Sequence, residues 1–124
     1  MGSLSQSAPF IEVYRAPNRR RSHRFPVNGV AEFRARNWYS HRGRVVNLCL
    51  DGCLIEPRGM AQYAVGEELD LRLEVHRVSM RARAVVRRVS PSGKLGVELV
   101  QLSSRSRAAM LSLISELDDD TLSL

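Results

Sequence analysis

Leu69, Leu71, Leu73 and Val75 alternate without a break with Asp70, Arg72, Glu74 and His76. This two-residue period constrains the fold more than any other feature, because successive side chains of a strand point to opposite faces of a sheet. Met80, Ala82, Ala84 and Val86 repeat the pattern against Arg81, Arg83 and Arg87, and Ala31, Phe33 and Ala35 repeat it against Glu32, Arg34 and Arg36. Further strands are predicted over Arg42 to Asn47, over Cys53 to Glu56 before Pro57, and through Leu95, Val97 and Leu99. Asp51-Gly52 reads as a tight turn with glycine at positive φ, and Ser90-Pro-Ser-Gly93 as a hairpin turn. Six strands with no helical pattern between them predict an all-β domain, a six-stranded antiparallel barrel closed or nearly closed, which leaves few open edges.

The period changes near the end of the chain. Leu102, Ser106, Ala109, Met110, Leu113, Ile114 and Leu117 fall on one face of a helix, with Ser103 or Ser104 able to cap its start. Arg105 and Arg107 at its beginning and Asp118–Asp120 at its end oppose the macrodipole, at a few tenths of a kcal/mol or so each. The apolar face is expected to dock on the barrel mouth, with a helix-to-helix homodimer contact as the alternative. The division that follows is a flexible basic arm over 1–18, a barrel with its C-terminal helix over 19–118, and an acidic tail over 119–124. Within the arm, Phe10 to Tyr14 can form a short strand or packed segment.

Charge narrows the function. Eighteen of the nineteen basic residues are arginine, and the net charge is +6. Residues 1–60 hold ten arginines against four acids, whereas residues 61–124 balance nine basic against nine acidic side chains, so the whole excess lies in the first half. That asymmetry points to a localised anionic partner. The densest run is Arg19-Arg20-Arg21-Ser22-His23-Arg24. A guanidinium offers a planar fork of donors that fits two phosphate oxygens or the O6/N7 edge of a guanine, which an ammonium does not. No apolar run reaches the ~20 residues of a membrane span, and the N-terminus lacks the pattern of a secretory signal. A cytoplasmic location is the expectation, and the free thiols Cys49 and Cys53 fit a reducing compartment. Cys-x-x-x-Cys without nearby histidines is a poor zinc site. No nucleophile–base pair, carboxylate dyad or glycine-rich phosphate loop is present in the sequence, so neither an enzyme nor a cofactor is expected.

Two stretches together resemble the PilZ family, bacterial receptors for the second messenger cyclic di-GMP. Arg20-Arg21-Ser22-His23-Arg24 matches that family's R-x-x-x-R motif ahead of the barrel, and Asn47-Leu48-Cys49-Leu50-Asp51-Gly52 matches its D/N-x-S-x-x-G motif, with cysteine where serine is usual. Lys94 to Leu99 looks like the family's closing strand, and the terminal helix like its usual ending. The resemblance implies that Arg20 and Arg24 grip phosphate and the guanine Hoogsteen edge. It further implies that Asn47 accepts from guanine N–H groups and that Gly52 allows close backbone approach. Arg19 and Arg21 join this set, and an arginine at the Arg19 position implies two intercalated ligand molecules. Cys49 would support a phosphate or water less well than serine, since a thiol is a weak donor. The arm would fold over the ligand and signal to an effector protein. Two other readings stay open: a basic barrel that binds RNA or single-stranded DNA, and a ligand-free variant acting through protein contacts.

Overall fold

The alternating strands close on themselves. The computed structural model describes residues 12–13, 23–35, 39–59 and 62–122. Its strands are β1 (Glu12–Val13), β2 (Phe25–Ala35), β3 (His41–Cys49), β4 (Gly52–Pro57), β5 (Glu68–Val75), β6 (Val78–Val89) and β7 (Leu95–Leu102), followed by helix α1 (Ser104–Leu122). Neighbours run in the order β7-β4-β3-β2-β5-β6, and a further β6–β7 pairing returns to the start, which makes a closed six-stranded antiparallel barrel. The apolar residues of each alternating run fill its interior. Phe33, Leu48, Ile55, Leu69, Leu73, Met80, Leu95 and Leu99 are all fully buried there.

β1 lies outside the ring of six but is pinned to it. On one side of β7, residues 95 to 98 pair with β4, Leu99 N–H donates to the Asp51 carbonyl, and residues 101 and 102 pair with β1. The short segment expected between Phe10 and Tyr14 is therefore a two-residue strand that takes over where β4 ends. Nine residues, 14–22, separate it from the stretch leading into β2.

α1 packs on β6 and β7 through Met110, Leu113 and Leu117. That apolar face is buried within the monomer, which leaves the helix-to-helix homodimer contact without support. Ser103 Oγ accepts from Ser106 N–H at 3.1 Å and caps the first turn. Ser106, the one polar residue on the buried face, accepts from Arg81 N–H of β6 at 2.9 Å, which satisfies a strand donor that β7 no longer reaches. The helix runs through Leu122, beyond the boundary at 118, so Asp118–Asp120 continue it instead of opening an acidic tail. Burial of Leu117 holds the chain into the last turn, and no breaker follows it.

Candidate functional site

The strand β3 delivers Asn47 and Cys49 to a corner, the chain turns through Leu50-Asp51, and β4 begins at Gly52. Arg24 arrives there because Phe25 pairs with Leu48 and Pro26 with Asn47, which lays the start of β2 alongside the end of β3. Arg24, Asn47, Cys49, Asp51, Gly52 and Cys53 line one concavity of about 280 Å³, together with Arg87, Arg88, Gly96, Val97 and Glu98 from β6 and β7. Four of the seven anticipated residues thus meet in one place. Arg19, Arg20 and Arg21 lie outside the described residues, as does Trp38.

Asn47 Oδ1 is a buried acceptor with no hydrogen-bond partner among the described residues. Leaving such a group unpaired costs about 1–3 kcal/mol. Buried polar atoms are almost always satisfied, so an exception calls for an explanation.

Gly52 corrects a sequence expectation. Among the described residues, the glycines at positive φ are Gly59, Gly66 and Gly93, and Gly52 is not one of them. A Cβ at Gly52 would run into the Val97 carbonyl oxygen. The position needs glycine because β7 passes too close for any side chain, not because the turn is left-handed. Gly93, with φ of 93°, is the residue that closes the Ser90–Gly93 hairpin in the expected way.

Cys49 is committed to its own turn. Its Sγ donates to Asp51 Oδ1 at 2.8 Å and approaches the Gly52 carbonyl at 3.5 Å. Burial, aided by the Asp51 carboxylate, pushes its thiol up to about 11. Burial likewise pushes Cys53 up to about 12. Both sulfurs are neutral, unreactive small groups at neutral pH.

The far wall was not anticipated. A register shift between Val86 and Arg88 in the β6–β7 pairing inserts Arg87 as an extra residue, and both arginines line the corner. Arg87 Nε donates to Glu98 Oε1 at 2.7 Å. The signal in the sequence was the doublet Arg87-Arg88, which breaks the alternation. His23, beside Arg24, is exposed and meets Phe25 edge-on at 4.9 Å between ring centroids.

A closed six-stranded antiparallel barrel with a terminal helix, and an arginine-lined corner at the end of an early strand, defines a class of small β-barrel domain. The PilZ domain family model matches residues 18–116, and the chain belongs to that family. Among solved structures, it is similar to the PilZ domain of CeSA from a cellulose-synthesizing bacterium, at 16% identity and a TM-score of 0.60, over 78% of this chain and 99% of that one. It is similar to the PilZ domain of YcgR from Escherichia coli, solved with c-di-GMP, at 14% identity and a TM-score of 0.61, over 84% and 95%. It also resembles the Bacillus subtilis inhibitor of motility MotI/DgrA, at 18% identity and a TM-score of 0.64, over 83% of this chain and 53% of that one. At these identities the likeness concerns the fold. No curated protein matches the sequence. Among the described residues, no helix is long and apolar enough to cross a membrane, and no cluster of His, Cys, Asp or Glu could hold a metal ion.

Proposed function

We propose that this chain is a receptor for cyclic di-GMP that binds the nucleotide at the Asn47–Gly52 corner. The observation that carries the reading is the orphaned Asn47 Oδ1, buried in the same concavity as the Arg24 guanidinium. A guanine edge presents N–H donors to such a carbonyl, and a phosphate or the O6/N7 edge suits the arginine fork. Family membership supports the choice of ligand, as does the c-di-GMP in the YcgR domain.

Arg19, Arg20 and Arg21 complete the site in this reading. β1 anchors the segment before them beside the Asp51–Gly52 turn, and Phe25 anchors it after Arg24. A nine-residue span reaches about 30 Å at most when extended, so these arginines stay within range of the corner. In this reading the span closes over the bound nucleotide, and the changed surface is what an effector protein reads. Arg19 stacks on a base of a second, intercalated nucleotide.

Isothermal titration with cyclic di-GMP tests this. Binding is expected with one or two nucleotides per protein, selective over cyclic di-AMP, and at least about tenfold weaker in Arg20→Ala and Arg24→Ala. Saturation at one nucleotide removes the intercalated pair, and no binding at all removes the receptor reading. A family variant that acts through protein contacts alone is the second reading. It is favoured by Cys49, whose only donor is already given to Asp51.

A further inference from the structure

A second basic concavity lies on the outer wall of the barrel, away from the corner. It is a groove of about 510 Å³ across β2, β5 and β6. Strand register sets its lining as two rows. Glu32, Arg72 and Arg81 stand side by side in one row, and Arg34, Asp70 and Arg83 in the next. The rows are two residues apart along each strand, about 7 Å. Four guanidiniums therefore face two carboxylates.

The internal pairing is incomplete. Arg83 reaches Asp70 at 3.3 Å, and Arg72 reaches Glu32 only at 3.9 Å. Arg34 and Arg81 are exposed and form no ion pair among the described residues. Arg72 and Arg81 also occupy directly opposed positions on adjacent strands, an arrangement of like charges that destabilises a sheet. An anion seated between the rows would remove that repulsion and use the two unpaired forks.

We infer that this groove docks an acidic segment of a partner protein. The choice over nucleic acid follows from the lining. Glu32 and Asp70 would repel a continuous phosphate backbone, whereas a peptide can space its carboxylates around them. Among the described residues that line it, the one aromatic, Phe33, is 1% exposed and offers no face on which bases could stack. This inference does not depend on the nucleotide reading of the corner.

The test is fluorescence anisotropy of a fluorescein-labelled peptide of alternating glutamate and serine, titrated with the full chain at low salt. Arg34→Glu with Arg81→Glu is expected to weaken binding about tenfold or more with the cyclic di-GMP titration unchanged. Thermal unfolding should shift little, because Arg81→Glu relieves the repulsion with Arg72 while Arg34→Glu sets a like charge opposite Asp70. Arg58→Glu with Arg77→Glu makes the same charge change at exposed positions outside the groove and is expected to weaken it less than about threefold. An equal loss in both pairs would mean diffuse attraction to net charge, and would overturn the site. No measurable binding to the wild-type chain at low salt would overturn it as well. A single-stranded oligouridylate of matched charge that binds more tightly, and loses that binding in the groove pair, would make the groove a nucleic-acid surface and overturn the choice of partner.

Discussion

Both concavities of this barrel are lined with arginine, yet they differ in what surrounds the charge. In the corner, the guanidinium of Arg24 shares its space with a buried unpaired carbonyl, two buried sulfurs and a backbone crossing too tight for a Cβ. Along the wall, four arginines stand over a continuous sheet, with their partial ion pairs in solvent. The first arrangement rewards a ligand of fixed shape, because only a matching donor satisfies Asn47 Oδ1. The second rewards opposite charge in many geometries and is screened by salt. Similar residues therefore support different kinds of recognition, and backbone packing decides which.

The corner depends on that packing most at Gly52. Gly52→Ala places a methyl group against the Val97 carbonyl, and β4 and β7 must separate to accept it. We expect a loss of about 3 kcal/mol or more in denaturant unfolding, with nucleotide binding weakened as well. The wall groove, built on β2, β5 and β6, should keep its peptide affinity in whatever fraction remains folded. A variant as stable as wild type would show that the close crossing is not real.

Asn47→Leu separates stability from binding. Removing the orphaned acceptor should raise stability by about 1 kcal/mol in thermal or denaturant unfolding. The same change should weaken cyclic di-GMP binding by about tenfold or more, because the buried acceptor for guanine is gone. A substitution that lowers both quantities would mean the carbonyl has a partner in the free protein.

Salt sharpens the comparison between the two regions. Between about 50 and 200 mM salt, peptide binding to the wall should fall several-fold more than nucleotide binding to the corner, since the wall's charges are exposed and the corner's contacts are partly desolvated. Equal slopes would make the corner another solvated patch.

The two regions also differed in how far the sequence revealed them. The barrel was legible because alternation records which side of each strand is buried, and Leu69 to Val75 carried that record without interruption. The turn between β5 and β6 was not legible. His76 and Arg77 adopt φ of 52° and 66° there, positions where glycine or asparagine is the usual signal. β1 was only partly legible, since a two-residue strand owes its existence to the vacancy beside β7, not to its own pattern. In the corner, Asn47 and Arg24 stood out by motif, while Arg87 and Arg88 arrive through a shift of register whose one local trace is the doublet that breaks the alternation. Gly52 was legible as a residue but not as a cause, because the strand it must clear lies about 45 residues away in sequence.

The smallest effect expected is at Cys49, where it tests how closed the corner is. Cys49→Ser replaces a thiol whose one weak donor is held by Asp51 with a hydroxyl that donates more strongly and can also accept from the ligand or a water. It should tighten cyclic di-GMP by no more than about threefold, read by calorimetry. The alkaline limb of the stability curve gives a second reading. The thiol is raised from 9.0 in the unfolded chain to about 11 when folded, so between those values the folded state holds the proton more firmly. Its contribution is therefore complete below pH 9 and lost as pH rises toward 11. Serine does not titrate in this range, so Cys49→Ser should flatten that decline. It should not abolish it, because Cys53, pushed up to about 12 by burial, still contributes. An unchanged slope from pH 9 to 11 would mean that Cys49 is as solvated as the arginines of the wall, and the contrast between the two regions would fail at its smallest residue.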